Sequence, residues 1–178
     1  MGVVVVTGVP GVGKSTVMGA AEEYGYKIVN FGTTMFEEAQ KDGVSNRDDM
    51  RKLAVEDQQR LQKQAGEKIS EMGNVVVDTH ASILTPSGYM PGLPEWTIRA
   101  LNPNIIVLVE ATAEEITGRR SKDPSRARDA DDIDMHQKVN RDYAATAASI
   151  VGATVSIVEN HDDKVEIAVE QFRTILNK

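Results

Sequence analysis

The first seventeen residues, MGVVVVTGVPGVGKSTV, limit the possible folds of this chain more than any other segment. The four valines of Val3–Val6 form a short apolar run, typical of a strand that is buried on both faces. Glycines then interrupt the chain, and a helix-compatible segment begins at Ser15. A buried strand, a glycine-rich turn and a helix in this order indicate the opening unit of a parallel α/β sheet.

The rest of the chain repeats this alternation of apolar strands and amphipathic helices. Further β-branched runs are found at Ile28–Val29, Val75–Val77, Ile105–Val109 and Val155–Val158. Apolar residues at helical spacing connect them, with stripes at 61–72, 133–151 and 165–176. We therefore predict a single doubly wound α/β domain over residues 1–178.

Composition argues against several classes of protein. The 178 residues carry a net charge of −7, whereas a surface that coats nucleic acid or an anionic membrane needs a basic face. The absence of cysteine excludes disulfides and thiolate chemistry. No apolar run reaches the ~18 residues of a membrane-spanning helix. We expect a soluble cytoplasmic protein without a nucleic-acid or membrane partner.

Residues 8–15, GVPGVGKS, match the phosphate-binding pattern G-x-x-x-x-G-K-[ST]. Glycines let backbone amides point into one concavity and approach phosphate oxygens closely, and the next helix adds the positive end of its dipole. Lys14 supplies a cation for the outer phosphates, and Ser15 offers its hydroxyl to Mg²⁺. The predicted nucleotide-binding residues of this segment are Gly8, Val9, Pro10, Gly11, Val12, Gly13, Lys14, Ser15 and Thr16.

The segment after the third strand argues against a GTPase. A GTPase has Asp-x-x-Gly there and [Asn/Thr]-Lys-x-Asp later, whereas this chain has Asp78-Thr79-His80-Ala81 and lacks the second pattern. Asp78 ends an apolar strand, where a carboxylate can hold a metal-bound water or, alternatively, cap the next turn. We predict Asp78 as a Mg²⁺ residue that acts through water. His80 either bonds a phosphate or satisfies a backbone group.

Arginines are frequent in the polar segments between the predicted elements. They are Arg47, Arg51, Arg119, Arg120, Arg126, Arg128 and Arg141. A planar guanidinium meets phosphate oxygens with two parallel hydrogen bonds, so arginines suit charge neutralisation in phosphoryl transfer. The pair Arg119-Arg120 at a helix end can instead serve only to complement the helix dipole.

Several segments together resemble adenylate kinase of the archaeal type, a P-loop nucleoside monophosphate kinase family. They are VVVVTGVPGVGKSTV at 3–17, VNFGTTMFEEA at 29–39, NRDDMRKL at 46–53, VVVDTH at 75–80, TPSGYMPGLP at 85–94 and HQKVNRDYA at 136–144. The resemblance implies a Mg²⁺-dependent enzyme that converts ATP and AMP to two ADP. It also implies a five-stranded parallel sheet, a helical AMP-binding insert at 31–60, a short lid at 120–132 and a homotrimer.

The same resemblance assigns residues to the donor nucleotide and to catalysis. The implied catalytic residues are Lys14, Arg119, Arg128 and Arg141. Arg120 and Asn160 are the further residues expected to contact ATP, Asn160 because it lies in the turn after the fifth strand.

On the acceptor side, the chain departs from the common bacterial pattern. In the bacterial type, the helix after the second strand carries an arginine that binds the AMP phosphate, and here Glu37 stands near that position. The bacterial type also has an arginine soon after the aspartate of the third strand, whereas none closely follows Asp78 here. Arg51 is therefore the first candidate for the AMP phosphate, and Arg47 is the second. The predicted AMP-binding residues are Gly32, Thr33, Arg47, Arg51, His80, Gly88 and Tyr89. We expect Trp96, in contrast, to pack in the core.

Besides a dedicated ribosome-assembly ATPase, which the acidic net charge supports little, two alternatives remain open from the sequence. The first is a kinase of the same fold that acts on CMP, UMP or a small metabolite, because the phosphate-binding loop does not read the acceptor. The second is a nucleotide-binding protein without catalysis. The positions of Lys14, Asp78 and the arginines argue against the second alternative.

Overall fold

The computed structural model describes residues 2–122 and 132–177 of the chain. Its centre is a sheet in which all neighbouring strands are parallel, in the order β2-β3-β1-β6-β7. These strands are β1 (Val3–Thr7), β2 (Lys27–Asn30), β3 (Val75–Asp78), β6 (Ile105–Glu110) and β7 (Thr154–Glu159). The five predicted strands and the α/β class are confirmed.

Helices cover both faces of this sheet. They are α1 (Lys14–Met18), α2 (Phe31–Lys41), α3 (Val55–Ser70), α4 (Glu95–Leu101), α5 (Ala113–Ser121), α6 (Ile133–Val151) and α7 (Val165–Leu176). Two 3₁₀ turns, Gly19–Tyr24 and Arg47–Lys52, follow α1 and α2. In the part of the chain that the structure describes, no helix has the length and apolar character needed to cross a membrane.

The valine run of β1 is buried on both faces of the sheet. Val4 and Val6 belong to one apolar cluster, which includes residues of α1 and α7. Val3 and Val5 belong to a second cluster, which includes residues of α3, α4 and α6. Because successive side chains of a strand point to opposite faces, a strand between two helical layers needs apolar residues at every position.

A two-stranded antiparallel hairpin was not predicted from the sequence. It consists of β4 (Ser82–Thr85) and β5 (Gly88–Pro91), which follow β3, and β4 packs against α6. Each strand has four residues and the segment contains Pro86 and Pro91, so its composition resembles that of a loop.

The predicted insert at 31–60 contains α2, the turn Arg47–Lys52 and the first part of α3. Residue 60 lies inside α3, so this helix continues from the insert into the core. Residues 123–131 of the predicted lid, including Arg126 and Arg128, lie outside the described residues.

Candidate functional site

The glycine-rich loop joins the carboxyl end of β1 to α1. Gly11 and Gly13 both have a φ of 90°, a conformation that other residues rarely adopt. A β carbon on Gly11 would lie 2.9 Å from Cγ of Arg120, and one on Gly13 would collide with Nδ2 of Asn160. The loop therefore needs these glycines both for its backbone path and for the close approach of two supporting side chains.

The helix after the loop is short. α1 ends at Met18 and continues as the 3₁₀ turn Gly19–Tyr24. A five-residue helix makes little more than one turn, so its dipole can add only part of the positive field that we expected at the loop.

The loop borders a cavity of about 240 Å³. The residues that line it are Val9, Pro10, Gly11, Val12, Gly13, Lys14, Ser15, Asp78 and His80. The fold thus brings the predicted nucleotide-binding segment together with two residues that are more than sixty positions away in sequence. Gly8 and Thr16 flank this lining in the chain, and His80 is exposed at its edge.

Lys14 and Asp78 form an ion pair in this cavity. Lys14 Nζ lies 2.9 Å from Asp78 Oδ1 and donates a hydrogen bond of 2.8 Å to the carbonyl oxygen of Thr79. β1 and β3 are parallel neighbours with Val6 opposite Asp78, so both side chains emerge at the same edge of the sheet. The lysine charge is therefore oriented by a carboxylate and a backbone carbonyl.

The oxygen groups at this cavity fit Mg²⁺. Ser15 contributes a hydroxyl and Asp78 a carboxylate, and Mg²⁺ prefers such hard ligands. Within residues 2–122 and 132–177, no three His, Asp or Glu side chains converge to form a metal site. This set of donors suits a cation shared with water and substrate phosphates, rather than one enclosed by protein ligands alone.

Three side chains support the loop through its backbone carbonyls. Arg119 donates to Val12 at 3.0 Å and to the carbonyl of Asn160 at 2.7 Å, and Arg120 donates to Pro10 at 2.8 Å. Asn160 is 3% exposed, and its amide donates to the Val12 carbonyl at 2.9 Å. All three predicted residues lie at the loop, and their contact with ATP stays a prediction.

Glu115, which sequence reasoning missed, connects the start of α5 to the turn after β7. It completes a capping box with Thr112, accepts a hydrogen bond from the backbone of Asp162 at 2.7 Å and lies 3.0 Å from Nδ1 of His161. These bonds, foremost the one with His161, lower the pKa of Glu115 to about 2. Since Asp162 pairs with Arg119 at 2.8 Å, Glu115 also helps to place that arginine. The spacing Thr-x-x-Glu was the available signal.

Arg141 pairs with Glu110, which was also missed. Arg141 Nε donates to Oε1 of Glu110 at 2.6 Å, and Nη2 of the same guanidinium donates to Oε2. Glu110 ends β6 and is only 8% exposed, and its hydrogen bonds raise the pKa of Arg141. The pair holds the arginine near the carboxyl end of the strand beside β1. An acidic residue at the end of the run IIVLVE was the signal.

Three of the predicted AMP residues lie together at the start of α2. Arg47 lies over Gly32, where any β carbon would collide with the guanidinium, and it is 3.4 Å from Oδ1 of Asn30. Thr33 donates its backbone amide to the same oxygen at 3.0 Å. Arg51 is exposed on the turn Arg47–Lys52, and its guanidinium has no ion-pair partner in the described part of the chain.

Gly88 and Tyr89 lie in the hairpin strand β5, in a different part of the fold. The Tyr89 carbonyl accepts a hydrogen bond of 3.1 Å from Tyr143, and its ring lies 5.0 Å from that of His136. The contact of Gly88 and Tyr89 with AMP stays a prediction.

The expectation of core packing for Trp96 was wrong. Trp96 is 39% exposed. Its indole nitrogen donates a hydrogen bond of 2.7 Å to Oε1 of Gln62, a residue of α3. An indole can satisfy its polar nitrogen at the surface while part of the ring stays covered.

Comparisons with known proteins agree with this geometry. The family described as AAA domain matches residues 7–137. The adenylate kinase of Methanocaldococcus jannaschii is 51% identical, with 98% of this chain and 97% of that protein covered. The adenylate kinase of Thermoplasma volcanium is 49% identical, with 97% and 98% covered.

Solved structures add evidence on the fold alone. The shikimate kinase of Bacteroides thetaiotaomicron superposes with a TM-score of 0.61 at 13% identity, over 99% of this chain and 98% of that chain. Such low identity shows a shared architecture and does not indicate a substrate. The relatives that are about half identical over nearly the whole length carry more weight: this chain belongs to the adenylate kinase family of the archaeal type.

Proposed function

We propose that this protein transfers the γ-phosphoryl group of ATP to AMP and so forms two molecules of ADP. The observation that carries this proposal is the near-complete, roughly half-identical match to relatives named adenylate kinase. The site supports it, because a phosphate cradle with Lys14 lies on the core while Arg47 and Arg51 lie on a separate element, residues 31–54, which we call the acceptor arm. Two nucleotides that face each other need this kind of divided site.

The chemistry requires positioning and charge neutralisation. An oxygen of the AMP phosphate attacks the γ-phosphorus of ATP, and the bond from that phosphorus to the bridging oxygen breaks. ADP leaves with the electron pair of that bond, and AMP becomes the second ADP. Charge spreads over the phosphate oxygens in the transition state, so fixed cations accelerate the step. We assign this role to Lys14, Arg119, Arg128 and Arg141.

We infer that Mg²⁺ is the resident cation, held by the Ser15 hydroxyl and, through a water molecule, by Asp78. When bound, such an ion would offset the negative charge of the phosphate groups. Lys14 already pairs with Asp78 at 2.9 Å. That ion pair orients the lysine toward the cavity and keeps the carboxylate at the edge of the sheet.

For AMP, we propose that Arg47 and Arg51 bind the phosphate. Gly32 leaves room for the Arg47 guanidinium, and Thr33 lies beside it in the first turn of α2. Gly88 and Tyr89 are assigned to the wall beside AMP, and His80 to the edge of the site. Water must be excluded during transfer, so we also infer that the insert at 31–60 and the lid at 120–132 close over the nucleotides. A bisubstrate inhibitor should slow hydrogen exchange in both segments, and unchanged exchange in 120–132 would contradict a closing lid.

A panel of acceptors tests the proposed function. With ATP as donor, AMP, CMP, UMP and GMP are compared at equal concentration in a coupled assay. We expect kcat/KM for AMP to exceed the others by about a hundredfold or more, because unpaired polar groups around a wrong base are costly. A preference for CMP or UMP would identify another monophosphate kinase. Binding of ATP without turnover of any acceptor would instead favour the non-catalytic alternative.

We also propose a homotrimer, on the resemblance to the archaeal type. Equilibrium sedimentation should then give a mass about three times that of the 19.4 kDa chain. A mass of one chain at every protein concentration tested would contradict this assembly and leave the catalytic proposal intact.

A further inference from the structure

Asn30 is the last residue of β2 and the N-cap of α2, and the two ends of its amide have different partners. Oδ1 accepts hydrogen bonds from the backbone nitrogen of Thr33 at 3.0 Å and from its hydroxyl at 3.2 Å. Nδ2 donates to Oδ2 of Asp78 at 3.1 Å. One side chain therefore joins the start of the acceptor helix to the carboxylate of the donor site.

The sheet register brings Asn30 to this place. β2 and β3 are parallel neighbours, and Asn30 is the residue paired with Asp78 at their carboxyl ends. The other oxygen of Asp78 is 2.9 Å from Lys14 Nζ. A continuous polar path thus runs from Lys14 through Asp78 and Asn30 to the first turn of α2, with Arg47 at its edge, 3.4 Å from Asn30 Oδ1.

An amide is the side chain that suits both contacts. The backbone N–H of Thr33 needs an acceptor, so the oxygen must face the helix and the nitrogen must face Asp78. Serine and aspartate cap helices about as well as asparagine. Serine, however, is too short to span both partners, and aspartate would place a second carboxylate against Asp78.

We propose that Asn30 is a positioning residue, which fixes the acceptor arm relative to the donor site. It holds the start of α2, and with it Arg47, at a set distance from Asp78 and Lys14. Asn30 touches no reacting atom, and it acts through Asp78 and the arm. The inference rests on the proposed transfer between two nucleotides, in which small errors of alignment strongly reduce the rate.

The substitution Asn30→Ser separates capping from positioning, because serine keeps the cap and loses the bond to Asp78. One lost hydrogen bond to a charged group predicts about a tenfold fall in kcat, whereas KM for AMP and for ATP should stay within about twofold. A bisubstrate inhibitor, which fixes the distance between both nucleotides, should bind about tenfold more weakly. Separate binding of AMP and of ATP, measured by calorimetry, should change little, and the melting temperature should stay within about 2 °C.

Asn46→Ser is the matched control. Asn46 is also an N-cap asparagine of the same arm, and its Oδ1 accepts from the backbone of Asp48 at 3.0 Å. Serine at position 46 keeps a helix cap and does not alter the path to Asp78. We therefore expect Asn46→Ser to have the same kcat and the same inhibitor affinity as the parent protein.

Asn30→Asp keeps the cap and provides a second, independent test. The carboxylate introduced at position 30 would repel the carboxylate of Asp78. This repulsion should lower kcat further than serine does, by about a hundredfold, with little change in thermal stability.

Parent-like kcat and inhibitor affinity in Asn30→Ser would overturn the inference and leave Asn30 as a helix cap alone. If Asn30→Ser fails to fold, parent-like kcat in Asn30→Asp would overturn it equally. A parent protein that does not phosphorylate AMP would overturn the proposed function and this inference together. An active parent with an equally active Asn30→Ser would overturn this inference alone.

Discussion

The donor loop and the acceptor arm of this molecule are stabilised by different means. The loop at 8–13 rests on the main core, with Val9 and Val12 nearly fully buried and Asn160 bonded beneath it. The arm at 31–54 carries its arginines on an exposed 3₁₀ turn and packs through a small cluster of Ala39, Met50 and Leu61. The comparison indicates that the loop is held in place by the core, whereas the proposed acceptor contacts lie on a locally stabilised element.

Ion pairs reinforce this difference. Arg60 of α3 pairs with Asp42 at the end of α2 at 2.8 Å, and Lys68 pairs with Glu37 at 2.8 Å. Both pairs are exposed, so solvent screens their charges and they stabilise the arm only weakly. Glu38 is an exception, since it is nearly buried and its hydrogen bonds with Lys41 and Lys68 lower its pKa. We therefore expect the arm to open locally more often than the donor loop.

The largest effect is expected at the donor loop. Lys14→Ala should lower kcat by about a thousandfold, because a fixed cation at the transferred phosphate is lost. Folding should persist, since the Lys14–Asp78 pair lies at an open cavity and contributes little to the core. Coupled assays and thermal melting measure both quantities. Lys63→Ala, on an exposed face of α3, is the matched control. A variant with a tenth of the parent activity would show that the cradle works without its lysine.

The second-largest effect is expected for Leu61→Ala, a substitution that tests whether the arm opens separately from the core. Leu61 is fully buried in the small cluster, so Leu61→Ala should cost about 2–4 kcal/mol of unfolding free energy. Hydrogen exchange should accelerate more at 31–54 than in β1 and β3. Equal acceleration in all three segments would show that arm and core unfold as one unit, which would contradict the comparison.

Removal of the acceptor arginines should have a more selective effect. Arg47→Ala and Arg51→Ala should each raise KM for AMP by about ten- to a hundredfold, since each removes a charge-assisted bond to phosphate. KM for ATP should stay within about twofold if the two regions bind separate nucleotides. Arg99→Ala is the control, because that residue is exposed and pairs only with Glu95 among the described residues. Equal changes for both substrates would refute the division of the site.

The smallest effect concerns the support of the donor loop. Glu115→Gln should cost at most about 1 kcal/mol at pH 7, because the carboxylate lies near the surface. The pKa of Glu115 is about 2 in the folded chain, below its ordinary value of 4.5. Its stabilisation is therefore complete above about pH 5 and is lost as the pH falls from 4.5 toward 2. Melting curves of parent and variant should converge over that range, and a constant difference would contradict the assignment.

The sequence specified the proposed donor site more fully than the proposed acceptor site. The segment 8–15 is contiguous, so its residue types and spacing already specify a strand, a loop and a helix start. Asp78 could be predicted as the residue that ends an apolar strand. The partners Glu110 and Arg141, in contrast, are thirty-one positions apart and meet only when α6 packs beside β6. The hairpin at 82–91 was missed because its strands are short and prolines lie in its turn and at the end of β5.

Local chemistry was thus determined by the sequence alone: the glycines that permit the loop, the lysine that follows them, and the strands that need apolar residues on both faces. The tertiary structure decided which distant groups share the site, because parallel register sets Asn30 opposite Asp78 and packing seats Asn160 beneath Val12. A pattern in sequence encodes backbone preference over a few residues. Contacts between distant segments depend on how whole elements pack, which no local pattern records.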